Sequence, residues 1–348
     1  METLKIQVEN TLRTIFSEEK ERYKDHPLET ECLQALEQFV LGDGKRLRPL
    51  SVLAFYLGSG GKLEGREDVM RVACAMEMIH NATLVHDDVI DEDETRRNSP
   101  TIVKTFFDKY KQENEDISTN KFLFLSRGAT YSTGISIMLG NILGTIPLRL
   151  CIECDNQIGK YAMDMYNEIN FGQVLDLTHL NTFDGYLQMI QKKTVIFFET
   201  TAKIGLTLAK RNESEIRKGI EWGKHFGIAF QMRDDLLDID IHNGKLRKIG
   251  SDIKEGKKTS VVLKALEDGV LSSEENAFMK NALLLNERLF EDTVVFERFL
   301  TVLRGKPSEL IRELINHHYQ LAIHALEELH QAKMKSKKSN LQLFMNFV

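Results

Sequence analysis

Proline is scarce in this chain, five in 348 residues, and its scarcity leaves long stretches in which nothing forces a helix to stop. Apolar residues recur through those stretches at three- and four-residue spacing, so the expected fold is all-α. Cysteine is sparse too. Four of them (Cys32, Cys74, Cys151, Cys154) cannot supply a disulfide framework to a chain this long. Cys151 and Cys154 form one CxxC with no second pair, which reads as two buried thiols on a helix ahead of a zinc or redox centre. The charge balance of 46 basic against 52 acidic residues, net -6, lacks the basic excess that nucleic-acid binding draws on. No apolar run approaches the roughly 20 residues needed to cross a bilayer, and no basic N-terminal region precedes a short apolar core. The expectation is a cytoplasmic protein with no transmembrane segment. A hydrophobic content of 42% supports a substantial core, and the length allows one large domain or two modest ones.

What is present is acidic and paired. After an apolar helical run come Asp87, Asp88 and Asp91, followed by Arg96 and Arg97. On a helix Asp87 and Asp91 are i,i+4 neighbours, with Cβ atoms about 5–6 Å apart. Two carboxylates that close repel by on the order of 3 kcal/mol at an effective dielectric of about 20. A divalent cation reverses that sign, because Mg²⁺ is held by one or two carboxylates together with phosphate oxygens, and arginines suit the phosphate. A solvated acidic helix end is the better explanation of one such motif standing alone. A second copy, Asp234, Asp235 and Asp238, again follows an apolar helical run, and two copies favour a metal-diphosphate site.

Elsewhere the chain offers cations and polar groups in helical settings. In GDGKRLRP, Gly42 and Gly44 let the backbone bend while Lys45, Arg46 and Arg48 concentrate three cations ahead of Pro49. Such a turn suits an anion or is simply solvated. His80 lies two turns before Asp87, within reach of an anion. The stretch from Asp108 to Arg127 is charged and then irregular, a surface loop or an excursion of the helical layer. The run 128–150 resumes a buried helix that Pro147 kinks. A helix over 158–178 carries Gln173 and Asp176, and one from Phe183 carries Lys192, Lys193 and Thr194. KIGSDIKEGKKTS (residues 248–260) lacks P-loop spacing; it suits a lysine-bearing cover over a diphosphate. Lys333–Lys338 reads as a solvated helix end.

GDGKRLRP, HDDVID with its two arginines, GQVLD, KKT, FQMRDDLLD and KIGSDIKEGKKT follow one another in this order over about 215 residues. Together they resemble the trans-isoprenyl diphosphate synthases, prenyltransferases that lengthen an allylic diphosphate with isopentenyl diphosphate. The resemblance implies a single domain over residues 1–348, a bundle of about ten core helices around a central cavity, and a homodimer. Carried over by position, it implies that Asp87, Asp88, Asp91, Asp234, Asp235 and Asp238 bind three Mg²⁺ ions. Arg96, Lys193, Gln231 and Lys257, with Lys248 nearby, would hold the allylic diphosphate. Lys45, Arg48, His80 and Arg97 would hold the diphosphate of isopentenyl diphosphate, with Phe230 beside it. Gln173, Asp176 and Thr194 would line the reacting region. The sequence departs from the family at Asn98, where glycine is common, at Asn141, where aspartate is common, and in the length of 108–127.

In this family a bulky aromatic four or five residues before the first aspartate stops chain growth early. Those positions are Thr83 and Ala82 here, with Met76 and Ile79 deeper, about 16 Å and 12 Å along the helix from Asp87 at 1.5 Å per residue. A product of geranylgeranyl length or longer is expected. Two other readings compete: a non-catalytic or partner-dependent subunit of a heteromeric synthase, and a terpene cyclase. The retained aspartates and lysines oppose the first, and the GKRLRP turn opposes the second.

Overall fold

The computed structural model describes residues 2–113, 126–178, 181–240, 249–254, 257–284 and 292–331. They are helical almost throughout, as the periodicity predicts. They gather into two compact units, one made of the residues up to 163 with Ile204–Lys210, the other of Asp164–Lys203 with the described residues from 211 onward.

The first unit contains α1 (Glu2–Arg22), α2 (Pro27–Leu41), α3 (Leu47–Gly58), α4 (Glu67–Ile90), a hairpin of β1 (Thr95–Arg96) and β2 (Ser99–Pro100), α5 (Ile102–Glu113) and α6 (Arg127–Cys154). Helix α4 touches α1, α2, α3, α5 and α6. Its Val69, Val72, Met76, Ile79 and Val85 are wholly buried, each such side chain being worth about 1.5–3 kcal/mol relative to exposure. Against them α1 sets Val8, Leu12, Ile15 and Phe16, the apolar stripe visible in its sequence. Arg71 clamps Glu18 of α1 through two hydrogen bonds of 3.1 and 2.7 Å. The position of the first aspartate motif is therefore set by the most enclosed helix of the unit.

Two expectations change here. Residues 108–113 belong to α5, because Ile102, Phe106 and Phe107 give this charged segment an apolar side; residues 114–125 lie outside the described residues. Helix α6 is long and apolar enough, by length and composition, to cross a membrane. Counting an unbroken apolar run missed it, since scattered Ser, Thr, Gly and Asn interrupt the run without offsetting its average. Half of its most apolar window is buried, and α6 packs on α4 and α5 with Leu139, Leu143 and Leu150 inside. Pro147 sits within α6 without ending it. Cys151 is buried and Cys154 partly so, both free; burial pushes both thiols up to about 12, which makes them unreactive at neutral pH.

The second unit contains most of α7 (Asn156–Asp176), then α8 (Phe183–Ile190), a π-helical turn over Gln191–Val195, the part of α9 (Ile196–Leu208) up to Lys203, α10 (Glu213–Ile239), α11 (Ser251–Lys254), α12 (Ser260–Leu266), α13 (Ser273–Leu284), α14 (Thr293–Arg304) and α15 (Lys306–Gln331). Its core joins Ile228, Met232, Leu236 and Ile239 of α10 to Val261, Val262, Phe299, Leu303 and Ile311. A capping box starts α10: Asn212 accepts from Glu215 N at 3.0 Å and Glu215 accepts from Asn212 N at 3.2 Å, satisfying two donors that a helix start leaves open. The Lys333–Lys338 cluster lies outside the described residues.

Helices α10 and α15 also meet through His225 and His318, whose Nδ1 atoms are 2.9 Å apart. One ring must donate and the other accept, so at least one is neutral. Burial, then His225, His317 and Lys224, lower His318 to about 4, and burial and Lys224 lower His225. Both groups are depressed below the unfolded value of about 6.5, so the unfolded chain binds more protons as pH falls. Their contribution is complete above pH 6.5 and declines toward pH 4. Thermal unfolding should therefore shift down by ~3 °C between pH 7 and pH 5. His318→Gln should flatten that dependence, as read by a melting series across pH.

Candidate active site

The first aspartate motif closes α4, and the helix decides what each carboxylate does. Asp87 and Asp91 are partly exposed, whereas Asp88, one residue on, is fully buried. Asp91 caps the helix with its N–H on Asp87 O at 2.8 Å. Asp88 Oδ1 accepts from Arg96 Nε, while its Oδ2 is buried with no hydrogen-bond partner among the described residues. Burial pushes the Asp88 carboxyl up to about 7 against the pull of Arg96. A cation held by Asp87 and Asp91 would relieve that desolvated carboxyl, so the donor set fits a hard divalent metal ion.

Arg96 and Arg97 reach this place by way of the hairpin. Thr95 pairs with Pro100 and Arg96 with Ser99, and the two residues between the strands, Arg97 and Asn98, have φ of 52° and 62°. This is the type I′ turn, which requires positive φ at both central positions. Asparagine tolerates that conformation best among non-glycine residues, so Asn98 fills the role of the family's glycine. Thr101 anchors the base by donating to Asp93 O at 2.7 Å. A cavity of about 380 Å³ beside the hairpin is lined in part by Gln38, Gly42, Arg96 and Arg97. Arg46, Glu92, Arg97 and Asn98 are four of the five non-glycine residues with positive φ among those described. Backbone strain is concentrated around this motif.

The GDGKRLRP turn brings its cations to the same place in two ways. Lys45 is exposed and Arg48 partly buried, but Arg46 turns inward with 1% of its side chain exposed. As a cluster the three cations suit an anion or water; Arg46 faces neither, because its guanidinium is enclosed by Glu77, Glu9 and Gly42 O. His80, partly buried, is pushed well below the usual imidazole range, by burial first and then by Arg48, Arg97, Arg96 and Arg46. It is neutral at pH 7 and offers an N–H to an anion while adding no charge. Neither Arg46 nor Glu77 was assigned a role from sequence. Glu77 carried no signal beyond being a charged residue on an apolar helix.

In the second unit the predicted residues form a hydrogen-bonded chain. Lys193 donates to Asp176 at 2.8 Å. Thr194 donates to Gln231 Oε1 at 2.8 Å, and Gln231 Nε2 donates to Asp235 at 3.0 Å. Asp235 also accepts from Tyr186 OH at 2.8 Å and from Ser260 N at 2.7 Å. Burial raises its carboxyl, and these three donors oppose the shift. Asp235 thus matches Asp88: each second aspartate is held inside, and Asp234, like Asp87, is partly exposed. Asp238 is buried and accepts from Asp252 N at 3.3 Å, and Lys257 N donates to Asp252 O at 3.0 Å. The described parts of the lysine-bearing segment are therefore fastened to the second motif. Lys248 lies outside the described residues. Phe230 stacks on Phe226 and leans on Phe198, with centroids 6.1 and 5.3 Å away. Gln173 Oε1 is buried without a hydrogen-bond partner among the described residues.

The π turn that carries Lys193 and Thr194 is wedged by glycine. A Cβ on Gly172 of α7 would lie 2.6 Å from Lys193 N, and one on Gly227 of α10 would lie 2.8 Å from the Val195 Cα. Only hydrogen fits at either place. Sequence reasoning missed this turn and Tyr186.

Comparison with known proteins agrees with the fold. The family model described as polyprenyl synthetase matches residues 29–294. Geranylgeranyl diphosphate synthase of Saccharolobus solfataricus is 32% identical over 304 residues, 85% of this chain and 83% of the relative. Among solved structures, geranylgeranyl pyrophosphate synthase from Corynebacterium glutamicum, complexed with isoprenyl diphosphate and magnesium, superposes with a TM-score of 0.80 at 22% identity, covering 93% of this chain and 92% of the other. A decaprenyl diphosphate synthase from Rhodobacter capsulatus does so at 0.74 and 23% identity, covering 99% and 96%. The chain has the all-α isoprenoid synthase fold. It belongs to the polyprenyl synthetase family and is a prenyltransferase.

Replacing Gly172 with Ala should displace the π turn, an overpacking that costs about 1–3 kcal/mol. The expected outcome is at least a tenfold loss of kcat with α-helical circular dichroism retained; full activity would show that the wedge does not position Lys193 and Thr194.

Proposed function

We propose that this protein is a Mg²⁺-dependent trans-prenyltransferase that condenses isopentenyl diphosphate with an allylic diphosphate to give a linear all-trans prenyl diphosphate of C20 or longer. One observation carries this reading: four arginines close enough to His80 to depress it, next to a pair of partly exposed carboxylates one turn apart on α4. Such a group suits both an anion and a metal cation. Both aspartate motifs would take part in holding three Mg²⁺ ions, through Asp87, Asp88, Asp91, Asp234, Asp235 and Asp238, while Asp88 and Asp235 also tie the motifs to the scaffold. When bound, the metal ions withdraw charge from the leaving diphosphate.

The protein's own groups do the rest. Arg96, Lys193, Gln231, Lys248 and Lys257 hold the allylic diphosphate. Lys45, Arg48, His80 and Arg97 hold that of isopentenyl diphosphate, and Phe230 packs beside it. The C1–O bond of the allylic substrate breaks with its electron pair leaving on diphosphate, and the alkene of isopentenyl diphosphate supplies the pair for the new bond to C1. A proton then leaves, restoring an allylic alkene. Fixed cationic side chains aimed at the departing anion favour the charge-separated transition state over the neutral ground state. Gln173 Oε1, buried with no hydrogen-bond partner among the described residues, is suited to face the positive charge on carbon, and Asp176 orients Lys193.

A homodimer is part of the reading, supported by Ile137, Met138 and Ile142, which α6 leaves 39–55% exposed. So is a cytoplasmic location without a membrane span, supported by the partial burial of α6.

The test is incubation of the purified chain with labelled isopentenyl diphosphate, Mg²⁺ and each short allylic primer in turn, with products resolved by length. Mg²⁺-dependent linear products are expected; no turnover with any primer would refute a self-sufficient synthase.

Product length belongs to the helix before Asp87. Met76, Ile79 and Ala82 are fully buried, and Thr83 is partly exposed, one turn before Asp87. Thr83 is the outermost limit on the chain and Met76, on the same side of the helix, a deeper one. Thr83→Phe should shorten the product by at least one five-carbon unit with turnover retained; an unchanged product distribution would remove this face from control of length.

A further inference from the structure

Arg46 is among the largest side chains buried in the protein, and all three of its donor nitrogens are engaged. Nη1 donates to Glu77 Oε1 at 3.1 Å, Nη2 to Gly42 O at 2.7 Å and Nε to Glu9 Oε1 at 3.4 Å. These acceptors lie on α4, in the turn itself and on α1. The Arg46 backbone is left-handed, with φ 53°, and its carbonyl accepts the first turn of α3 from Leu50 N at 3.1 Å. The residue thus sets both the bend and the helix start between Lys45 and Arg48. Glu77 lies one turn before His80, and the next residue, Asn81, donates back to Glu77 O at 2.8 Å. Glu77 Oε2 is buried with no hydrogen-bond partner among the described residues. A Cβ on Gly44 would lie 3.0 Å from Arg46 Nη1 and 3.5 Å from Arg97 Nη1, so the turn, the buried arginine and the hairpin arginine converge.

A buried ion pair is a poor device for stability alone, since apolar residues of similar volume often serve as well or better. Its advantage is fixed geometry, and arginine's rigid fork supplies it where lysine cannot. We propose that the Arg46–Glu77 pair positions the homoallylic diphosphate site by fixing the turn that carries Lys45 and Arg48 against the helix that carries His80. Neither residue touches substrate. The inference rests on the reading of Lys45, Arg48, His80 and Arg97 as the isopentenyl diphosphate ligands.

The experiment is steady-state kinetics with each substrate varied separately, together with thermal melting, on wild type, Lys45→Ala, Glu77→Gln, Arg46→Lys, Arg46→Met and the Arg46→Met/Glu77→Met double variant. Glu77→Gln and Arg46→Met should raise KM for isopentenyl diphosphate at least tenfold and change KM for the allylic substrate less than threefold. Arg46→Lys should not restore the wild-type value. The double variant should recover most of the melting temperature lost by Arg46→Met while its KM for isopentenyl diphosphate stays high. If Glu77→Gln instead moves both KM values and kcat together with the melting temperature, the pair is only structural and the proposal falls. If Lys45→Ala leaves KM for isopentenyl diphosphate unchanged in an active enzyme, the reading of the turn fails first, and the proposal with it.

Discussion

A helix rotates by about 100° per residue, so two adjacent carboxylates cannot both face a ligand, and the two aspartate motifs are built on that restriction. In each, the first aspartate is left partly open and the second is turned inside. The inward carboxylate becomes the anchor for a neighbouring segment. Asp88 takes Arg96 from the hairpin; Asp235 takes Tyr186 from α8, Gln231 from its own helix and the backbone of Ser260 at the start of α12. The acidic pair therefore divides its roles, one carboxylate inward toward the scaffold and one outward, where the proposed function puts metal and substrate. Removing an inward carboxylate would strand several polar partners, and a buried donor or acceptor without a partner costs about 1–3 kcal/mol.

The basic groups obey a related restriction. Four guanidinium groups around one imidazole repel one another, and the fold answers with carboxylates placed behind them: Asp88 and Asp93 behind Arg96, Glu77 and Glu9 behind Arg46. Each of these two guanidinium groups is thus held by two carboxylates, which offsets part of the positive charge of the cluster.

Much of this was legible in the sequence, and the reasons differ by residue. Spacing alone places Asp87 beside Asp91, because helical neighbours three and four apart share a face. The glycines at 42 and 44 announce a bend. Spacing does not say that Arg46 turns inward, because its acceptors come from positions 9 and 77, brought together only by packing. Tyr186 and Ser260 are hidden from sequence for the same reason, lying 49 and 25 residues from Asp235. The hairpin did carry a signal, since Asn98 is a residue at ease in left-handed backbone, but the paired arginines drew attention as ligands first. Membrane-length α6 shows the opposite error: the eye sought an unbroken run, while the physical quantity is an average along the helix.

The π turn at Gln191–Val195 amounts to one extra residue in an otherwise continuous helical path from Phe183 to Leu208. Nothing in QKKTV resists ordinary α-helix. Removing a residue there would let the hydrogen-bond ladder close regularly, and everything C-terminal to the cut would rotate by about 100° relative to everything before it. Lys193 and Thr194 would then part from Asp176 and Gln231. An insertion or deletion in this short interval would thus act as a rotary adjustment on Lys193, Thr194 and the helix beyond them, with no change in any side chain.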